Sequence, residues 1–439
     1  MHFYGRIVLL SLFSFAAVAE DPSAAIPHWL TTAARPLADV STEDVQDMKP
    51  MVDMVGQARV VGFGETAHQT HELQLLRLRA LRALVKTGQV RVLAMEAGYV
   101  ETIQLNQWLT GKSEIKPDFD AAFPFNGEGK LPELRAAIEW LHSFNETVPP
   151  AERIQLYGLD LPNGGGALRP ALDYVWVGLD RVDPALSRRL RASMEGALAH
   201  LGEGWPNGAK KRFDALDAGD QSALIRGISE LEVAFDSQQS KYSHDLGLEQ
   251  FDRFRQAVAV ARETLTFMQD PEDGSNPRDQ ALAANLQWVL EHAARDGKVI
   301  IWAHNAHVQK QSIEVAGAPM KPAVSMGQIL ADRLGNRYIS IGTTVDRLAS
   351  DAPGPPASAK SASVDNILAN FVVGSSKVPC YFVDLRQAAR TGPVADWLNA
   401  PHEMRFQDTY MRITPGKAFD ALFFVERASP SIRIAEPGK

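Results

Sequence analysis

Cys380 is the only cysteine in the 439-residue chain, so no intramolecular disulfide can form in any compartment and stability has to come from packing. It lies in the apolar stretch 378–383, where a buried structural thiol is a better reading than a nucleophile. Positive charge is also short. With 45 basic against 53 acidic residues the formal net charge is -8, which leaves no electrostatic footprint for nucleic acid or an anionic membrane. A neutral or cationic small molecule is the easier partner. There is no HExxH motif, no cysteine pair and no facial-triad pattern for a metal, no Gly-x-Ser-x-Gly elbow and no P-loop. The N-terminal apolar run, residues 7–19, is shorter than the roughly 20 residues a spanning helix needs. It follows Arg6, ends on Ala17-Val18-Ala19 and gives way to Glu20-Asp21-Pro22, the pattern of a cleavable secretory signal over 1–19. The mature protein is therefore expected to be periplasmic or secreted, without stable membrane association. No cysteine near the cleavage site could carry a lipid, and no internal repeat is present. Oligomeric state is not specified by the sequence.

What the chain does have is an alternation of element types. Short β-rich runs at 59–64, 91–95, 154–159, 298–303, 337–342, 380–385 and 421–425 are separated by longer stretches with helical spacing. This predicts an α/β fold with a mostly parallel sheet flanked by helices. Most of the runs are near-continuous in Val, Ile, Leu, Tyr or Phe, as expected for strands covered on both faces. Leu73, Leu76, Leu81 and Leu84 mark a helix over 71–87, which Thr87-Gly88 ends, and helices are also predicted over 131–145 and 279–296. No strand is legible between about 184 and 270, where Ala, Leu, Glu and Arg recur at helical spacing. The expected organisation is a first part of the α/β core in 20–183, a helical insertion in 184–275 and a second part of the core in 276–439. The insertion either caps a pocket or thickens the outer helical layer.

Ionisable residues appear directly after the apolar runs. Glu65 and His68 follow the first, with His71 and Glu72 close behind; Glu96 follows the second, Asp160 the third, His304, Asn305 and His307 the fourth, and Asp384 the sixth. Ligands of open parallel sheets bind at the carboxyl ends of the strands, so these residues are candidates for one crevice. A carboxylate three residues from a histidine at a strand-to-helix turn can hold the ring in one orientation and raise its basicity, which suits a histidine that takes a proton from water. The alternative is a helix cap by Glu65 or Thr66 with His68 facing solvent. Of the two later histidines, His304 is nearer the strand end and the better catalytic candidate. Glu96 could position a water, orient a histidine or bind substrate; its alternative is an ion pair with an arginine such as Arg77, which itself either faces the site or is solvated. Metal ligation by His68, His71, Glu72, His304 and His307 is a rival, but the spacings match no metal motif.

The segments Gly64-Glu65-Thr66-Ala67-His68 with Glu72 and Arg77, Ala94-Met95-Glu96-Ala97, Asn106-Gln107-Trp108, Tyr157-Gly158-Leu159-Asp160, Arg278-Asp279 with Asn285 and Trp288, Trp302-Ala303-His304-Asn305-Ala306-His307, Met326-Gly327 and Phe382-Val383-Asp384-Leu385-Arg386 span most of the mature chain. In these blocks the chain resembles the erythromycin esterase family. The resemblance implies a parallel α/β core with helical additions, a deep cleft, and opening of a macrolactone ester by histidine-activated water without metal or cofactor. It implies His68 as general base, Glu65 and Glu96 as the groups that polarise or position it and the water, and His304 as the residue completing the site. Arg77, His307 and Glu72 are then expected on the substrate side. The family commonly has Gly after the motif histidine, whereas Gln69 stands here, which bears on substrate identity more than on catalysis. Two other readings stay open at this point: an exported metal- or haem-binding protein, and an esterase acting on a cell-envelope or polysaccharide ester.

Overall fold

The computed structural model describes residues 22–435 other than 271, 295–296, 320, 351–354 and 374. The signal peptide expected over 1–19 lies outside the described residues. The sheet is built from β1 (Val60–Glu65), β2 (Val90–Gly98), β3 (Gln155–Asp160), β4 (Lys298–His304), β5 (Tyr338–Leu348) and β6 (Cys380–Asp384). A separate hairpin of β7 (His402–Phe406) and β8 (Thr409–Ile413) precedes the last strand of the sheet, β9 (Ala421–Ala428). The order is β6-β9-β5-β1-β4-β2-β3. All neighbours from β9 to β3 run parallel, and β6 alone of these is antiparallel to its partner β9.

Alternation along the strands splits the interior into two cores, because successive side chains leave a strand on opposite faces. Val60, Val92, Val299 and Ile301 join one core with Leu172, Val175 and Leu286. Val61, Phe63, Leu93, Ile300 and Trp302 join the other with Leu73, Leu76 and Leu81. The second core is roofed by α1 (His71–Val85) and α2 (Pro132–Glu146). The first is covered by α3 (Arg169–Val182), α4 (Pro184–Leu201), α5 (Ala218–Ser237), α6 (Leu248–Met268) and α7 (Pro277–His292), which place Leu190, Leu224, Leu231, Phe254 and Val258 in it. Burying each such side chain contributes roughly 1.5–3 kcal/mol, so both faces are committed to helices and only the strand ends are left for a site.

The chain leaves β1 for β2 on one side and leaves β4 for β5 on the other, so the strand order reverses between the neighbours β1 and β4. A crevice at their carboxyl ends follows from this connectivity. One strand end does not reach it. Asp384 closes the antiparallel β6 and pairs in register with Ala421, the first residue of β9, so it sits at the opposite end of the sheet. There its carboxylate holds Arg386 and caps the following turn.

Candidate active site

β1 ends in a turn whose geometry is fixed from several directions. Thr66 N–H donates to Thr343 Oγ1, its hydroxyl donates to Arg405 O on the β7–β8 hairpin, and its carbonyl accepts from Gln407 N–H. His68 N–H donates to Gln407 Oε1. The turn therefore presents Glu65 and His68 to the same side. His68 Nδ1 lies 2.6 Å from Glu65 Oε1, while Glu65 Oε2 accepts from Gln74 Nε2 at 3.0 Å and faces Arg77 Nη1 at 2.9 Å. Arg77 is an inward residue of α1: Nη2 donates to Ala303 O at 2.5 Å. It locks the Glu65 carboxylate from the wall of the inner cleft. Burial disfavours a charged His68 ring, but the Glu65 hydrogen bond and the negative charges of Glu96, Glu65 and Glu128 outweigh it and lift the ring to about 9.

Glu96 sits in a register shift of β2 between Met95 and Gly98, a bulge that turns its carboxylate towards the β4 end. Its Oε2 accepts from His304 N–H at 2.8 Å, and its Oε1 lies 3.0 Å from Arg278 Nη2 and 3.2 Å from His307 Nε2. Arg278 also grips Asp160 through Nε at 3.0 Å, and Asp279 takes His307 Nδ1 at 2.9 Å. Burial alone would neutralise Glu96, yet His307, His68 and Arg278 hold it well below the usual carboxylate range. Against the same burial, Asp279 and Glu96 raise His307 to about 10. Each cation of this network thus has a carboxylate partner.

The two histidines after β4 differ in charge. His304 is the neutral one: Nε2 donates to Thr66 O at 3.0 Å, Nδ1 accepts from Ala306 N–H at 3.1 Å, and burial with the nearby His68 charge pushes its pKa well below normal. With both ring nitrogens used it carries no proton to a substrate. Its ring packs 5.0 Å from that of His68 and edge-on to Phe406, so it positions the His68 imidazole. His307 is instead the charged ring behind Glu96. Glu72 is not in the group: its oxygens accept from Ser429 N–H at 2.6 Å and Ser429 Oγ at 2.7 Å, tying the C-terminal segment to α1. His71 likewise turns away, to Glu133 on α2.

Glu65, His68, Gln74, Arg77, Met95, Glu96, Phe125 and Glu128 line a narrow inner cleft of about 10 Å³, room for about one water. Two outer clefts, of about 530 and 590 Å³, meet at Gln69 and Arg433, and His68 borders the first. Sequence reasoning missed Glu128 as a site residue altogether; it stands between Gly127 and Gly129 on a short 3-10 turn, and no spacing ties it to His68. Arg278, Asp279 and Asp160 were visible as residues, but their mutual network was not. Ligand atoms of Glu65, His68 and Glu128 lie within 4.8 Å of one another, near enough to share a divalent ion. The fit is poor on the Glu65 side, since its Oε1 is spent on His68 Nδ1 and its Oε2 on Arg77 and Gln74, so an ion there would displace one of these contacts.

A parallel α/β sheet whose carboxyl edge carries an oriented carboxylate–imidazole pair in a cleft holds the groups that water-activating enzymes use. The chain belongs to the erythromycin esterase family, which matches residues 85–428. It is 25% identical to erythromycin esterase type II of Escherichia coli, over 90% of this chain and 95% of that protein. It is 26% identical to erythromycin esterase type I of Escherichia coli, over 93% and 99%. Among solved structures, a Bacillus cereus protein superposes with a TM-score of 0.77 at 24% identity, covering 94% of this chain and 99% of that one. An erythromycin esterase variant in its open conformation superposes with a TM-score of 0.72 at 20% identity, covering 92% and 100%. The family match begins at the last residue of α1, so the arrangement of Glu65, His68 and Arg77 rests on the geometry above.

Proposed function

We propose that the chain hydrolyses a carboxylic ester, with a macrolide lactone as the substrate class, by direct attack of water activated at His68 and without a metal. The observation that carries the reading is the 2.6 Å contact of Glu65 with His68 Nδ1. It commits one ring nitrogen to an orienting carboxylate and leaves Nε2, which makes no hydrogen bond among the described residues, to take the proton of a water. A base held this way typically contributes 10²–10⁴-fold. The oxyanion donors are narrowed by elimination. His304 and His307 have their donors engaged, whereas Arg77 Nε and Arg278 Nη1 make no hydrogen bond among the described residues and are the candidates that remain. The ester group lies at His68, where the first outer cleft reaches the mouth of the inner one, and the outer clefts, bordered by exposed Trp205 and Ile432, take the apolar body of a large ring. The same reading places the protein in the periplasm or outside the cell, on the strength of residues 1–19.

The test is hydrolysis of a panel of macrolides of different ring size and of simple esters by purified protein, with His68→Asn as control and with metal analysis of the preparation. Turnover that survives chelation and falls at least about 100-fold in His68→Asn is expected. Stoichiometric acylation of a serine or of Cys380 with loss of activity, or activity that tracks a bound metal, would overturn the mechanism. Turnover of polysaccharide esters and of no macrolide would move the substrate and leave the chemistry standing.

A further inference from the structure

We propose that Glu128 is the general acid of the site, the carboxyl group that protonates the leaving alkoxide while His68 takes a proton from water. The inference rests on the hydrolytic reading above and adds to it the second half of the proton transfer.

The geometry singles Glu128 out. Its Oε1 lies 4.0 Å from His68 Nδ1, in the wall of the inner cleft, with the side chain only 17% exposed. Every other carboxylate of the cluster lies within 3.2 Å of a cation: Glu65 of Arg77, Asp160 of Arg278, Glu96 of Arg278 and His307, and Asp279 of His307. Glu128 shares His68 with the nearer Glu65 and accepts no side-chain hydrogen bond among the described residues. The groups that face it are Glu65 and His68 from the β1–α1 turn, Arg77 from α1 and Glu96 from β2. Arg278 lies behind Phe125, and Arg433 borders the neighbouring Gly127. Burial first, then the charges of Glu65 and Glu96, raise Glu128 to about 7 against the pull of His68 and Arg77, which leaves a carboxylic acid able to hold a proton near neutrality.

The turn that carries Glu128 is held in place. Its backbone carbonyl accepts from Leu131 N–H at 2.9 Å, Arg135 Nε donates to Gly129 O at 2.5 Å, and a Cβ on Gly129 would lie 2.2 Å from Phe119 O. A proton donor fixed at this precision needs no reorganisation when the leaving group departs.

The step balances with one proton shared by two groups. In the empty site the shared proton resides mostly on the ring. An ester that expels water from the cleft disfavours the separated charges and favours the neutral ring with protonated Glu128. Water oxygen then bonds to the carbonyl carbon and gives a proton to His68 Nε2, and the carbonyl π pair moves to oxygen. On collapse the acyl C–O bond breaks, the Glu128 proton passes to the alkoxide, and the imidazolium proton returns to the Glu128 carboxylate. The net change is addition of one water to the ester.

The experiment compares ethyl butyrate, whose alkoxide needs an acid, with 4-nitrophenyl butyrate, whose phenolate does not, across pH. In the wild type the alkyl ester should give a bell with limbs near 7 and 9, since the reaction needs neutral His68 and protonated Glu128 together. The aryl ester should rise to a plateau as His68 loses its proton. Glu128→Gln is expected to lower kcat/KM for the alkyl ester by about 10²–10⁴-fold and to remove its descending limb, while the aryl ester keeps most of its rate. Glu128→Asp should restore part of the alkyl activity, and a ¹³C-glutamate titration of the intact protein should lose one resonance near pH 7 in Glu128→Gln. Equal loss on both esters, or an unchanged descending limb, would overturn the assignment. Absence of wild-type activity on any ester would remove the hydrolytic reading itself, and the acid role with it.

Discussion

Arg77 and Glu65 are 5% and 3% exposed as side chains, and the pair supports the rest of the site through His68. Two charges this far from water repay their desolvation only while both are present and their remaining donors and acceptors are satisfied. Here they nearly are: Arg77 also donates to Ala303 O, and Glu65 also binds Gln74 and His68. Arg77→Leu should therefore leave the buried Glu65 carboxylate with the His68 ring as its one ionic partner and lower stability by about 3–5 kcal/mol, whereas Arg77→Leu with Glu65→Leu should recover much of that loss. Urea unfolding of the three proteins measures it. A single substitution costing less than about 1 kcal/mol would show that the pair is hydrated and not the rigid clamp described above.

At the scale of elements, the strand ends meet through one glycine and one amide. Asn305 Nδ2 donates to Thr343 O and its Oδ1 accepts from Thr343 N–H, so the end of β4 is laced to β5 across β1. The lacing passes over Gly64, where a Cβ would lie 2.3 Å from Asn305 Oδ1 and 2.8 Å from Val308 Cγ2. Gly64→Ala should cost about 1–3 kcal/mol by overpacking and, because Glu65 is the next residue, depress activity as well. An unchanged urea midpoint would contradict this. The central strands were legible because the inner positions of β1 and β4 are buried and apolar. Their ends were legible because polar residues there break the pattern. The direction of β6 was not, since an apolar run carries no record of its neighbour, and Asp384 went to the wrong end with it. The β7–β8 hairpin also escaped notice: its turn is Gln407-Asp408, without the Asn-Gly or Asp-Gly that announces such turns, although Gln407 takes a φ of 54°. Glu128 arrives from a loop by tertiary folding alone. His304 and His307 were legible as a pair, but which of them stays neutral depends on Asp279 and Thr66, residues that only the fold brings to them.

Across the whole molecule the mouth of the site is assembled from segments far apart in the chain. The C-terminal segment crosses it: His71 N–H donates to Ser429 O, Ser431 N–H to Gln69 O, and Ile434 N–H to Lys130 O, so one strap joins α1, the His68 turn and the Glu128 loop. Arg433 Nη2 donates to Gln69 Oε1 at 2.6 Å at the point where the two outer clefts meet. Gln69 adopts a φ of 57°, a conformation that costs a residue with a Cβ about 1–2 kcal/mol and glycine almost nothing. The chain therefore bears backbone strain to keep a side chain that narrows the entrance. A bridge at that place should discriminate by size, since a small ester needs only the space beside His68 while a large ring extends across both outer clefts. Gln69→Gly should then raise kcat/KM for a large-ring macrolide relative to 4-nitrophenyl butyrate, through KM more than kcat, because the His68 and Glu65 contacts do not involve the Gln69 side chain. Parallel steady-state measurements on the two substrates decide it: an equal change on both would mean that Gln69 shapes the catalytic turn and does not gate the entrance.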